Sequence, residues 1–186
     1  MHDVLKSLGF NVRYVIARVV NNQDIDAPRT HRVTLLEFEN NLYLVDVGFG
    51  SMCPTLLLKI ETSKEEKKYK IVLNKDDDYQ LEVLKGNSYF SLYAFNLATY
   101  TESDCIVGNF YSYKYPKSVF VNNLVVSLIF ADKTLSLRNK SFHIIDANSV
   151  KIKNINSYKL LYTTLNNHFN IKIGKDESKI IFAKLL

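Results

Sequence analysis

The 186-residue chain has no tryptophan, three prolines, six glycines and only two cysteines. Cys53 and Cys105 form no CxxC motif and have no metal-type spacing to a histidine. That excludes a disulfide scaffold and a structural zinc site. No apolar run approaches the roughly eighteen residues of a membrane span, and the opening "MHDVLKSLGF" lacks the apolar core of a signal peptide. A soluble, cytoplasmic protein without membrane partners is therefore expected. There is no stripe of arginines with stacking aromatics, and the lysines are scattered apart from "SKEEKKYK", where acids are interleaved. Nucleic acid is not an expected partner. Repeats and low-complexity linkers are also missing. What is present is a folding composition, 47% apolar and 12% aromatic, long enough for one domain or for two small ones. The net charge of +5 suits a small anionic ligand such as a nucleotide-bearing cofactor.

Periodicity gives the elements. "HDVLKSLGF" predicts the last turns of an amphipathic helix, with Val4, Leu5 and Leu8 on one face and Gly9 at its end. "NVRYVIARVV" alternates as a strand. A polar loop follows, and then "HRVTLLEF" and "NLYLVDV" flank "ENN" as a hairpin. "YKIVL", "YQLEVL" and "SYFSLYAF" are three more strands, separated by "NKDDD" and "KGN" turns. A short helix is expected around Asp104–Phe110, broken by "PKSVF". Three short strands follow within residues 124–146. A helix over "NSYKLLYTTLNNHFNI" and a last short strand close the chain. The class is α+β, built on a meandering antiparallel sheet or barrel.

One stretch raises a chemical question. "YLVDVGFG" sets Asp46 at the end of a hydrophobic strand, where an unpaired charge costs several kcal/mol. His31 opens the partner strand of the same hairpin, so with a turn near Asn40–Asn41 the two lie opposite within a residue or two. A carboxylate against imidazole Nδ1 would orient the ring as in a nucleophile–His–acid triad. The same spacing equally describes a structural hydrogen bond. Other candidates read as structure: His143 and His168 as histidines packed in apolar surroundings, His2 as terminal and exposed, and the acids of "NKDDD" as a turn without further metal ligands.

The series "LKSLGFNVRYVIARV", "PRTHRVTLLEF", "NLYLVDVGFGSMCPTLLL", "LYAF…SDCIVGNFYSYKYPKSVF" and "SYKLLYTTLNNHFNIKI" resembles the arylamine N-acetyltransferase family, in the family's order and across essentially the whole chain. The resemblance implies a cysteine-proteinase-like acetyltransferase fold, with an antiparallel β-barrel and a C-terminal α/β lid. It also implies a Cys–His–Asp triad. Acetyl-CoA, the donor substrate, acetylates the Cys, and the thioester passes its acetyl to an arylamine, hydrazine or heteroaromatic amine in a ping-pong reaction without a metal. Matched by position, the family's His is His31, its Asp is Asp46, and Phe49 and Gly50 belong to the loop lining the acceptor pocket. The domains implied are residues 1–9, a remnant of an N-terminal helical domain; 10–115, the barrel; and 116–186, the lid.

This sequence departs from the pattern at the nucleophile. The family carries it in an "RGGxC" segment whose spacing puts it before Met1, so the expectation is a truncated chain that is inactive alone and exposes an apolar patch where the helical domain would pack. Neither Cys105, expected in the core, nor Cys53 has an RGG context, although Cys53 follows the GFG loop and could lie near the pocket. The family's CoA-contacting positions just before the His are poorly matched by Ala27 and Pro28, so no CoA contact is assigned there. Two alternatives share the features above: a fragment of an amide synthase of the same fold, and a non-catalytic module binding CoA or an aromatic ligand. The sequence fixes no oligomeric state.

Overall fold

Alternating apolar residues dictate the first half of the chain. The computed structural model describes residues 1–23, 26–54, 57–61 and 68–185, the side chain of Ser51 excepted. These residues fall into two compact units, Met1–Ser112 and Tyr113–Leu186. In the first, helix α1 (His2–Ser7) leads through Gly9, at φ +86°, into strand β1 (Asn11–Val19). Strands β2 (Arg29–Phe38) and β3 (Asn41–Val45) form the hairpin. Its two turn residues, Glu39 and Asn40, have φ of 48° and 59°, the left-handed pair that suits the twist of a two-residue hairpin. After β4 (Leu58–Lys59) come β5 (Tyr69–Leu73), β6 (Tyr79–Lys85) and β7 (Ser88–Phe95).

All seven strands join one antiparallel sheet in the order β4-β3-β2-β1-β7-β6-β5, curled into a nearly closed barrel. Two meanders meet at a short seam, where Arg18 and Val19 of β1 pair with Ala94 and Tyr93 of β7. The inward face buries Val15, Ala17, Val33, Leu35, Leu44, Ile71, Leu81, Val83, Tyr93 and Phe95. Each such aliphatic contributes about 1.5–3 kcal/mol on burial. The charged cluster expected at Lys64–Lys68 falls mostly on residues 62–67, outside the described residues.

Helix α2 (Glu102–Lys114) runs longer than the sequence predicts. It approaches β2 through Gly108, where a Cβ would come within 3.3 Å of Thr30 Cα and 3.4 Å of the Arg29 carbonyl oxygen. Both neighbours are backbone and cannot swing aside. Gly108→Val is therefore expected to cost about 1–3 kcal/mol through overpacking, seen as a lower midpoint in thermal denaturation; an unchanged midpoint would show that α2 slides freely on β2.

The second unit begins with helix α3 (Val119–Asn122), a turn of helix where "PKSVF" predicts only a break. Strands β8 (Val125–Ile129), β9 (Lys133–Arg138) and β10 (Ser141–Asp146) form a meander that β11 (Val150–Asn154), not foreseen from the sequence, extends at one edge. Helix α4 (Tyr158–Phe169) is capped by Ser157, whose Oγ accepts from the Leu160 N–H, and it buries Leu161, Thr164, Leu165 and Phe169 on one stripe. The expected last strand is instead helix α5 (Lys175–Lys184). The apolar run "KIIFAKLL" has a strand's composition, but the Glu177 carboxylate accepts the Gly174 N–H at 2.6 Å, with Asp176 beside it in the first turn and Lys184 in the last. These charges complement the helix dipole. Cys105 is half-buried rather than in the core. His168 stacks on Phe142 at 4.9 Å yet stays exposed, while His143 is half-buried. His2 is not exposed either, its edge lying on the Tyr14 ring at 5.1 Å.

Candidate functional site

Hairpin register brings the two candidate residues together. Thr34 pairs with Val45 and Phe38 with Asn41, so continuing the ladder sets Asp46, just past β3, opposite Val33. His31 is two residues further along β2, on the same inward face, a diagonal neighbour within side-chain reach. His31 Nε2 and Asp46 Oδ2 lie 2.8 Å apart, with the two side chains 13% and 1% exposed. The carboxylate thus engages Nε2 and not the Nδ1 expected from the triad analogy.

The buried charge is satisfied a second time. Asp46 Oδ1 accepts the Gly48 N–H at 2.8 Å, the short Asx-type loop that lets a strand end on an aspartate. Burial, the largest influence, would push the Asp46 carboxyl up. The His31 hydrogen bond and charge, the Gly48 N–H and the nearby Tyr93 hydroxyl outweigh it, so the carboxyl is held below its ordinary 3.8.

Two rings then flank the imidazole. Phe49 and Tyr93 lie 5.1 and 5.0 Å from His31 and 5.0 Å from each other, centroid to centroid, within the range of favourable aromatic contact. Phe49 belongs to the GFG loop. Tyr93 arrives from β7 through the seam with β1, and the sequence offered only its inward parity as a signal. Its hydroxyl is fully buried and lies near Asp46, but makes no hydrogen bond of good geometry among the described residues. Burial, and then the Asp46 charge, push its ionisation well above 10. Gly50 stands outside this ring cluster. At φ +72° it starts a short 3-10 turn, Gly50–Met52, whose first carbonyl accepts the Cys53 N–H.

Cys53 comes close to the site but faces the wrong group. Its Sγ–H donates to the Asp46 backbone carbonyl at 2.9 Å. Burial, with the Asp46 charge adding to it, pushes the thiol up to about 11. A thiol so raised carries almost no thiolate at neutral pH. Among the described residues no three His, Cys, Asp or Glu side chains converge to hold a metal ion, and no helix is long and apolar enough to cross a membrane.

The arrangement is a carboxylate-oriented imidazole in an aromatic pocket, and known proteins carry the same framework. Residues 1–178 match the pattern of the N-acetyltransferase family. An arylamine N-acetyltransferase of Escherichia coli is 32% identical over 183 residues, covering 95% of this chain and 64% of the relative. An arylamine N-acetyltransferase/N-hydroxyarylamine O-acetyltransferase of Salmonella typhimurium is 28% identical, with 91% and 63% covered. The chain thus spans somewhat less than two thirds of the length of these curated relatives. Among solved structures, the arylamine N-acetyltransferase of Mycobacterium tuberculosis superposes with a TM-score of 0.89 at 27% identity, covering 98% of this chain and 72% of that one. The Mycobacterium marinum enzyme in complex with CoA gives 0.88 at 27% identity, with 99% and 72% covered.

Proposed function

This chain belongs to the arylamine N-acetyltransferase family, and from that premise we propose that it supplies the base and orienting acid of an acetyl transfer from acetyl-CoA to arylamines or hydrazines. The observation that carries this is the 2.8 Å contact between His31 Nε2 and a fully buried Asp46 carboxylate. With Nε2 committed, Nδ1 is the nitrogen left to take a proton from a thiol. The thiolate attacks the thioester carbonyl of acetyl-CoA, the CoA thiolate leaves, and the imidazolium returns the proton to it. The acceptor amine then attacks the acetyl-thioester carbonyl and His31 takes the amine's proton; the C–S bond breaks, and the cysteine leaves as a thiolate beside the imidazolium, ready for the next cycle. Phe49 is the ring against which a flat aromatic acceptor packs, and Gly50 gives its loop the turn. The CoA held by the Mycobacterium marinum relative supports the donor.

Neither cysteine of this chain is the nucleophile in this proposal. The test joins an "RGGxC"-bearing segment to the chain and follows acetylation by intact mass. One acetyl adduct is expected, lost in His31→Gln and transferred to an added arylamine. An adduct that persists in His31→Gln would remove His31 from the chemistry.

A further inference from the structure

Arg29 begins β2, two residues before His31. It stands directly opposite Arg18 of β1, at the point where the β1–β2 register shifts between Ala17 and Arg18. Two like charges across a ladder repel, and here they do so beside an irregularity in the pairing that holds His31. Each guanidinium has its own acceptor. Arg18 Nη1 donates to the Ala27 carbonyl. Arg29 Nη2 donates to Asp78 Oδ2 at 2.5 Å, and its Nη1 reaches the Ala94 carbonyl at 3.4 Å. Both side chains of the ion pair are largely shielded, 20% and 17% exposed, so it is screened less than a surface pair.

Asp78 is itself held firmly. It ends the β5–β6 turn, where the Asn74 side chain accepts the Asp76 and Asp78 N–H groups and the Asn74 N–H donates to the Asp78 carbonyl. Ala94 is the neighbour of Tyr93, whose ring packs on His31. One guanidinium thus ties the start of the His31 strand to the β5–β6 turn and to the strand that supplies Tyr93.

We propose that Asp78, acting through Arg29, is a positioning residue for the His31–Asp46 pair. The proposal rests on the function proposed above, since it assigns Asp78 a part in that same site. Without the carboxylate, Arg29 faces Arg18 without its ion-pair partner, and the β1–β2 ladder loosens at Ala17 and His31.

The experiment is NMR hydrogen exchange on the full chain, following the His31 Nε2–H proton that Asp46 accepts. Asp78→Asn is expected to speed its exchange about tenfold while amides of Leu81 and Val83 in the barrel core keep their rates. Asp78→Glu, which restores the charge, is expected to return it towards the original rate. A purely structural role would accelerate core and site together; that result, or an unchanged His31 proton, overturns the proposal. Should Asp78→Asn not fold, Arg29→Gln decides. It removes the charge that Asp78 pairs with, so faster exchange at His31 alone supports the tie, and an unchanged rate overturns it. If the original chain shows no slowly exchanging His31 Nε2–H at all, the His31–Asp46 pairing falls, and this proposal with it.

Discussion

Incubated with acetyl-CoA, the 186-residue chain is expected to keep its mass. A base and its orienting carboxylate activate a thiol but do not provide one, and removing the nucleophile of a triad typically removes several orders of magnitude in rate. Cys53 is the thiol that could overturn this. It lies seven residues from Asp46 and is bonded to its carbonyl, yet burial holds its ionisation near 11. At pH 7 about one molecule in ten thousand would carry the thiolate, by the factor of ten that each pH unit contributes. Iodoacetamide labelling of Cys53 is accordingly expected to be far slower than that of an unburied thiol. Intact-mass spectrometry after acetyl-CoA treatment reads the main result. A single acetyl adduct that disappears in Cys53→Ala would mean that Cys53 turns towards His31 and that this chain carries its own nucleophile.

The parts of this site that were legible in the sequence are those set by local geometry. A two-residue turn between strands of fixed parity leaves little freedom in where His31 and Asp46 meet, and the turn at Glu39 and Asn40 is visible as "ENN". The family resemblance supplied their proposed roles. What was not legible depends on pairing between distant segments. Tyr93 reaches His31 only because β1 lies between the two meanders, a seam of two paired residues on each strand with no local signature. Asp78, 49 residues from Arg29, read as one acid of a solvated turn. Which nitrogen of His31 faces Asp46 depends on the side-chain rotamer, which strand parity leaves open. The helix that replaces the expected last strand depends on its ends, where the Glu177 carboxylate accepts the Gly174 N–H.

Removing the Asp46 carboxylate should cost more than any other single side-chain change at the site. Asp46→Ala deletes the acceptor of both the His31 and the Gly48 hydrogen bonds and leaves an imidazole and an amide without partners in a buried pocket. Breaking a buried pair costs about 3–5 kcal/mol when a charge is stranded. The low end of that range, about 3 kcal/mol at pH 7, is expected, or roughly 6–12 °C in the melting of a chain of this size. The loss should also depend on pH with a definite sign. Because folding lowers the Asp46 ionisation below 3.8, its stabilisation is complete above that value and disappears as the pH falls through the lowered one. The gap between the original chain and Asp46→Ala should therefore be wide at pH 7 and close as the solution is acidified below 3.8. Asp46→Asn cannot ionise and keeps one acceptor oxygen for two donors, so its NH2 faces whichever of the His31 and Gly48 donors is left. It is expected to lose about 1–3 kcal/mol at pH 7, and its stability should lack the part of the acid dependence that Asp46 contributes. Denaturant titrations from pH 7 down to pH 3 would check this. A gap that stays constant over that range would mean that the Asp46 charge contributes nothing to holding the His31 pocket, and that shape alone keeps the pair together.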